Sequence, residues 1–472
     1  MEKKNTWETY SSRQLKELEK INAQYRDFLD NGKTERECID TIVNTIEKAG
    51  YRELENLMKE GASLKTGDKV YSVWMNKSIA MFQIGQKPML EGMNILGAHI
   101  DSPRLDVKQN PLYEDGGFAY LDTHYYGGVK KYQWVTIPLA IHGVIVKKDG
   151  TCVEVNIGEN EDDPVFFVSD LLIHLAQEQL EKKAAKVIEG EALDIIVGNK
   201  PLLIDKKDKK KDEKEAGKEA VKAGVLDILK ETYDIHEEDF VSAELEIVPA
   251  GKAREAGFDR SMILAYGQDD RVCAYTSMQA MLDSNVTERT MCCILVDKEE
   301  IGSVGATGMQ SHFFENAVAE VMNLAGEYSE LNVRRCLAHS CMLSSDVSSA
   351  FDPTYASSFD KKNVAYLGGG MVINKFTGAR GKSGSNDANA EYLAHLRHVF
   401  DKAEVNFQTA ELGRVDLGGG GTIAYILALY GMNVIDSGVA VLNMHAPWEA
   451  TSKADIYEAY RGYKAFVEGA GL

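Results

Sequence analysis

Five apolar runs in this sequence stop abruptly at carboxylates or imidazoles. His99 and Asp101 follow MNILGA, Asp269 and Asp270 follow SMILAYGQ, Glu299 and Glu300 follow MCCILVDK, Asp346 follows CMLSS, and His445 follows VAVLNM. Taken singly, each has an ordinary explanation. A histidine after a strand is commonly a hydrogen-bonded core or surface residue. The Asp269-Asp270 pair stands where a helix N-cap would, the Glu pair can face solvent, and Asp346 can be the turn residue of SSDVSS. Together they supply imidazole and carboxylate ligands, one carboxylate to share and one to move protons, which is the donor set of a two-metal hydrolytic centre. Asp101, two residues beyond His99, can reach the far nitrogen of a ligating ring and fix its tautomer. Adjacent Glu299 and Glu300 can divide labour, one on metal and the other taking a proton from the attacking water.

Residues so far apart can meet only if a fold places them at one edge. After about Ala250, strand-like and helix-like segments alternate: ERTMCCILVDKEE, HFFENAVAEVMNLAGEYS, RCLAHSCMLSSD, EVNFQTAEL, VIDSGVAVLNMH and ADIYEAYRGYKAFVEG. That alternation predicts an α/β fold with a mixed, largely parallel central sheet flanked by helices, and ligands of such sheets sit at the carboxyl ends of strands. Two helices are expected between Ser12 and about Glu60, then three strands in YSVWMN, IAMFQIG and MNILGAHID. From about Asn110 to Pro249 short alternating segments read as an antiparallel, mainly β insert. The expected organisation is therefore a discontinuous catalytic unit, 1–110 and 250–472, interrupted by an oligomerisation unit at 111–249. Inside the insert, DKKDKKKDEKEAGKE (Asp205 to Glu219) reads as a solvated excursion or helical extension rather than a binding patch, because its charges nearly cancel.

Composition restricts the partners. The 472 residues carry 53 Lys and Arg against 73 Asp and Glu, a net charge of -20, so nucleic acid and anionic membrane surfaces are excluded as expected partners. The first twenty residues lack the apolar core of a signal peptide. The most apolar stretch, Thr422 to Met444, is broken by Tyr425, Gly431, Asn433, Asp436 and Gly438, short of the roughly 18 apolar residues of a membrane span. Seven cysteines without a C-x-x-C pair read as reduced thiols, and a cytoplasmic location is expected.

The order HxD, DD, EE, D, H resembles the co-catalytic zinc aminopeptidases of the MH clan, and within it the M18 family, the aspartyl aminopeptidases. The strings that carry the likeness are GAHIDSPRLDVK, YYGGVKKYQW, GQDDRVCAY, DKEEIGSVGATG, SSDVSSAFDP, VDLGGGGTIAYILA and NMHAPWEATSKADI, which span positions 97 to 456. The resemblance implies two Zn2+ per subunit, with Mn2+ or Co2+ able to occupy the same donors. It assigns His99 and Asp346 to one metal, Glu300 and His445 to the other, Asp269 as the bridge, Asp101 as the orienting partner of His99, and Glu299 as general base and then acid. It implies removal of the N-terminal residue from peptides with free N-termini, with acidic first residues one candidate class, and assembly as a homododecamer through the insert. Within FVSDLLIHL, either His174 or Asp170 would reach a neighbouring subunit's site. The glycines of DLGGGGTIA either let backbone approach substrate or make a tight turn. Lys375, Arg380 and Lys382 in NKFTGARGKSGSND either meet an acidic side chain or form a solvated loop. The rival functions are a deacylase or amidohydrolase on the same metal core, and a self-assembling scaffold or cargo protein with a vestigial site.

Overall fold

The apolar runs that end in candidate ligands fold as strands covered on both faces. In the computed structural model, which describes residues 5–202 and 219–469, β1 (Asn94–His99) is buried at every position. Helix α1 (Gln268–Leu282) follows, then β2 (Met291–Val296) and β3 (Cys341–Ser345), each buried throughout. β4 (Met371–Asn374), β5 (Asn433–Gly438) and helix α2 (Lys453–Gly469) complete the elements nearest the site. Unbroken burial along a strand is the mark of a sheet with helices on both sides.

Contacts divide the chain into two units: the chain up to Ser102 with Ala253–Met444 and everything from Trp448, and Pro103–Lys252 with His445–Pro447. In the first unit a nine-stranded sheet runs Arg52–Glu53, Lys69–Trp74, Ser78–Gln83, β2, β1, β3, β5, β4, Phe407–Thr409. β1, β2, β3 and β5 are mutually parallel, whereas Ser78–Gln83 and β4 join the block antiparallel. The fold is thus the mixed, largely parallel α/β class that the alternation predicts. The three strands of YSVWMN, IAMFQIG and MNILGAHID all lie in this one sheet, with β2, a strand from beyond residue 290, between Ser78–Gln83 and β1.

Alternate side chains feed two cores. Leu96, Cys293, Leu343 and Ile435 point to one, shared with α1, α2 and the first helices, while Ile95, Ile294, Met342 and Val434 point to the other, under helix Phe313–Leu324. The leading helices start where their caps dictate: Ser11 with Gln14 begins Ser12–Asn31, and Thr34 with Glu37 begins Glu35–Lys48, both as capping boxes. The segment VIDSGVAVLNMH makes two strands, β5 and Ala440–Leu442, which belong to the nine-stranded sheet and to a separate five-stranded sheet.

The second unit is a six-stranded antiparallel sheet ordered Cys152–Ile157, Leu139–Val146, Ala243–Pro249, Arg104–Asp115, Phe118–Tyr126, Ile195–Gly198. It also carries a 14-residue helix, Ala220–Tyr233, unforeseen by the strand-like reading. Its Val221 and Val225, one helical turn apart, meet Gly198 of the sheet. Residues 203–218, nearly all of the charged run, lie outside the described residues. All seven cysteines are free; six are buried and Cys152 is exposed. Among the described residues no helix is long and apolar enough to cross a membrane.

One buried cation ties the first helix to the start of α2. Lys453 is 2% exposed, and its Nζ donates to Glu19 Oε2 at 2.7 Å and to Glu255 Oε1 at 2.5 Å. The Lys453 ammonium, acting against partial burial, holds the Glu255 carboxyl below its usual range, so this stabilisation is full near neutrality and fades as pH falls through that range. Lys453→Met should lower stability by about 2 kcal/mol at pH 7, less than the roughly 3–5 kcal/mol of fully buried pairs because both carboxylates keep water. Urea unfolding should show the deficit shrinking near pH 4.

Candidate metal centre

His99 ends β1, and its ring is held from both sides. Nδ1 lies 3.0 Å from the Asp101 carbonyl oxygen and 3.3 Å from Asp101 Oδ1. That leaves Nε2 aimed at three carboxylates, 3.3 Å from Asp269 Oδ1 and 3.9 Å from both Glu299 Oε2 and Asp346 Oδ1. The Asp101 carboxylate also accepts the backbone N–H groups of Glu299 and Glu300, each at 3.1 Å. The turn carrying the Glu pair is a single 3-10 turn, Glu299–Ile301, entered through Lys298 and left through Gly302, both left-handed.

Asp269 is positioned from behind. Its N–H donates to Glu449 Oε2 at 3.0 Å, and its carbonyl accepts Ser102 Oγ at 2.8 Å. Asp269 and Asp270, joined by a cis peptide, have non-helical backbone angles at the head of α1. The segment is entered through Gly267, which has no side chain to cap it. Asp270 Oδ2 instead accepts the His99 N–H at 3.4 Å. Asp346, just past β3, donates its N–H to Ser437 O on β5. Gly438, the last residue of β5, stands against it: a Cβ there would lie 1.9 Å from the Asp346 carbonyl oxygen, so only glycine permits the approach.

Two overlapping sets of donor atoms lie within 4.8 Å of one another, His99 with Asp269 and Glu300, and His99 with Glu299 and Asp346. Neither set contains His445, whose Nδ1 lies 2.9 Å from Gly128 O inside the second unit. The electrostatics suit a cation. Burial, reinforced by the charges of Glu299 and Asp269, pushes the Asp346 carboxyl well above its usual range. Burial opposes charge on His99, yet hydrogen bonds to Asp101 and Asp269 outweigh it and raise its pKa. Crowded carboxylates of this kind are relieved by a divalent ion, and one imidazole with several carboxylate oxygens is a donor set that zinc accepts. The residues present therefore fit zinc.

The sequence does not single out Ser102, Glu449 or Gly128 as supports for ligands. The first two are visible only as polar interruptions of HIDS and APWE; Gly128 acts through its backbone, which leaves no side-chain signal.

Comparison with known proteins gives the family. The family model for aminopeptidase I zinc metalloproteases (M18) matches residues 28–467. A curated relative from Clostridium acetobutylicum, named probable M18 family aminopeptidase 1, is 62% identical over 466 residues, 99% of this chain and 98% of its own. The crystal structure of an M18 aminopeptidase from Thermotoga maritima is 44% identical with a TM-score of 0.92, and covers 99% of both chains. That of aminopeptidase I from Clostridium acetobutylicum is 60% identical with a TM-score of 0.90, again over 99% of each. The chain belongs to the M18 family of zinc aminopeptidases.

Proposed function

We propose that the protein is a two-zinc aminopeptidase that hydrolyses the N-terminal residue from peptides with free N-termini. The observation that carries this reading is the convergence of His99, Asp269, Glu299, Glu300 and Asp346 on overlapping donor sets. His99 and Asp346 would hold one ion and Glu300 the other, with Asp269 between them; the resemblance adds His445 to the second. Zinc supplies Lewis acidity, polarising a carbonyl and bringing the pKa of water toward about 7. Glu299 takes the proton of the water that adds to the scissile carbonyl and delivers it to the amine nitrogen as the C–N bond breaks. Asp101 keeps His99 oriented and fixes the backbone of both glutamates, so ligand and base stay in register.

Self-association is part of the proposal. The second unit presents an apolar run in which Leu172, Ile173 and Leu175 are 54%, 65% and 68% exposed, more than an isolated subunit normally leaves to water in one place. A homododecamer is the assembly that the family resemblance implies. In the same run Asp170 Oδ1 is engaged locally, accepting Leu171 N and Gln179 Nε2. His174 is exposed on the turn Ile173–Leu175, which favours it over Asp170 as the group offered to a neighbouring subunit.

The basic stretch is largely self-satisfied. Lys382 Nζ lies 2.9 Å from Asp387 Oδ2 and Lys375 Nζ 3.8 Å from Asp387 Oδ1, so one carboxylate offsets two of its three cations. Neutral first residues are therefore proposed as substrates alongside acidic ones.

Three outcomes test the proposal. Purified zinc-loaded protein should release amino acids from peptides with unblocked but not acetylated N-termini, and Glu299→Gln should lower kcat about 100-fold or more with zinc content unchanged; full activity in that variant would refute the assignment. Asp387→Asn should raise kcat/KM for Asp- and Glu-initiated peptides relative to Leu-initiated ones by several-fold, and an unchanged ratio would remove the basic stretch from specificity. Ile173→Asp with Leu175→Asp should reduce the particle mass measured by light scattering.

A further inference from the structure

One row beneath the ligands, the central sheet holds polar side chains that the hydrolytic scheme leaves unused. Gly97 of β1 pairs with Ser344 of β3, and Ser344 with Asp436 of β5. Each of these lies two residues before a residue of the centre's own row: His99, Asp346 and Gly438. Alternation along a strand puts them on one face, about 6–7 Å below. Asp436 is 2% exposed and Ser344 0%, and Asp436 Oδ2 and Ser344 Oγ have no hydrogen-bond partner among the described residues. Burying an aspartate in a central strand is costly unless it has work that an apolar residue could not do.

The partner of its other oxygen indicates that work. Thr422 Oγ1 donates to Asp436 Oδ1 at 2.5 Å, and the same hydroxyl oxygen accepts the N–H of Ala424 at 3.3 Å. Thr422 directly follows the four glycines. Gly418 and Gly419 are glycine for local reasons, because a Cβ would lie 1.8 Å from Leu412 O and 2.4 Å from Ala379 Cα. Gly420 and Gly421 are not: the nearest atoms to an added Cβ are 4.0 Å and 3.7 Å away, and neither has a positive φ. Both are exposed. Two glycines that packing does not demand leave backbone facing open space on the side a Cβ would fill, while the Gly420 N–H is engaged by Thr377 O at 3.1 Å. Burial pushes the Asp436 carboxyl up to about 7, against the Thr422 hydrogen bond and with help from the Glu299 charge, so Glu299 is within electrostatic reach.

We propose that Asp436 is a positioning residue that, through Thr422, anchors the Gly418–Gly421 turn so that its bare backbone receives the peptide substrate beside Glu299. The inference rests on the aminopeptidase reading above. Backbone bonds from Gly418 to Arg414 O and from Gly420 to Thr377 O hold one side of the turn; without the Thr422 anchor its other side would drift, and a displacement near 1 Å at a site of this kind costs about 100-fold in rate. The side chain at 422 must therefore be a hydroxyl, and that at 436 must carry an acceptor oxygen.

The test uses the zinc-loaded full chain and a double-mutant cycle. Wild-type turnover of an unblocked peptide establishes the activity; its absence would sink the aminopeptidase reading and leave the anchor to be judged by whether Thr422→Val increases protease cleavage within 413–421. With activity present, Thr422→Val and Asp436→Ala should each lower kcat/KM about 10- to 100-fold at unchanged zinc content and Tm. The double variant should be no worse than either single one. Thr422→Ser and Asp436→Asn, which keep the hydroxyl and the acceptor, should restore kcat/KM to within about threefold. Losses that multiply in the double variant, or single variants within twofold of wild type, would overturn the anchor.

Discussion

One buried carboxylate sets the geometry of the candidate metal centre. Asp101 faces the His99 imidazole on one side and receives the backbone N–H groups of Glu299 and Glu300 on the other. Charge-assisted bonds of this kind are short and directional, so three groups from segments about 200 residues apart are referred to a single reference point. Were the reference to move, the histidine and both glutamates would move with it. The ring's second nitrogen would no longer face Asp269 and Asp346, and the turn between Lys298 and Gly302 would lose its internal hold. The remaining supports, Glu449 and Ser102 on Asp269 and the Gly438 approach to Asp346, each act on one ligand and refine what Asp101 defines.

The sheet makes that arrangement possible. Parallel neighbours β1, β2, β3 and β5 all end at one edge, and there the chain leaves the ladder as short polar segments. Opposed cores clamp the strands from both faces. The candidate metal centre therefore sits at the ends of strands packed on both faces, where local opening is infrequent.

The sequence is most informative where burial and chemistry change together. A run such as MCCILV cannot be exposed, and the charged pair immediately after it cannot be buried without a partner, so the edge of a sheet and a candidate ligand are legible at the same place. The five groups that converge around His99 are each visible in that way. The pairing of groups is not legible. Asp269 with Glu449 and Thr422 with Asp436 are contacts set by strand order, and a carboxylate inside an apolar strand gives no hint of which loop will reach it. Asp269 and Asp270 show the limit from the other side: two aspartates before a helical run carry the same signal as a cap, and only their contacts in the fold, Asp269 with the His99 ring and Asp270 with the His99 N–H, separate the two uses. The helix Ala220–Tyr233 does carry apolar residues at helical spacing, Val221, Val225, Ile228 and Leu229, but they directly follow a low-complexity charged run within a segment of strand-like alternation, which masks the period.

The burial of the cysteines bears on which atoms compete for zinc. Thiolate is a stronger zinc ligand than carboxylate, and Cys273 lies only one helical turn beyond Asp269. Burial, with the Asp270 charge, keeps its thiol protonated far above the ordinary range, and burial pushes Cys38 and Cys336 up to about 12. A thiol held protonated by burial is a weaker nucleophile and a weaker metal ligand than a thiolate. Around an oxygen- and nitrogen-based candidate site the fold thus keeps its sulfur buried and protonated, and electrophiles find only the exposed Cys152, on the other unit.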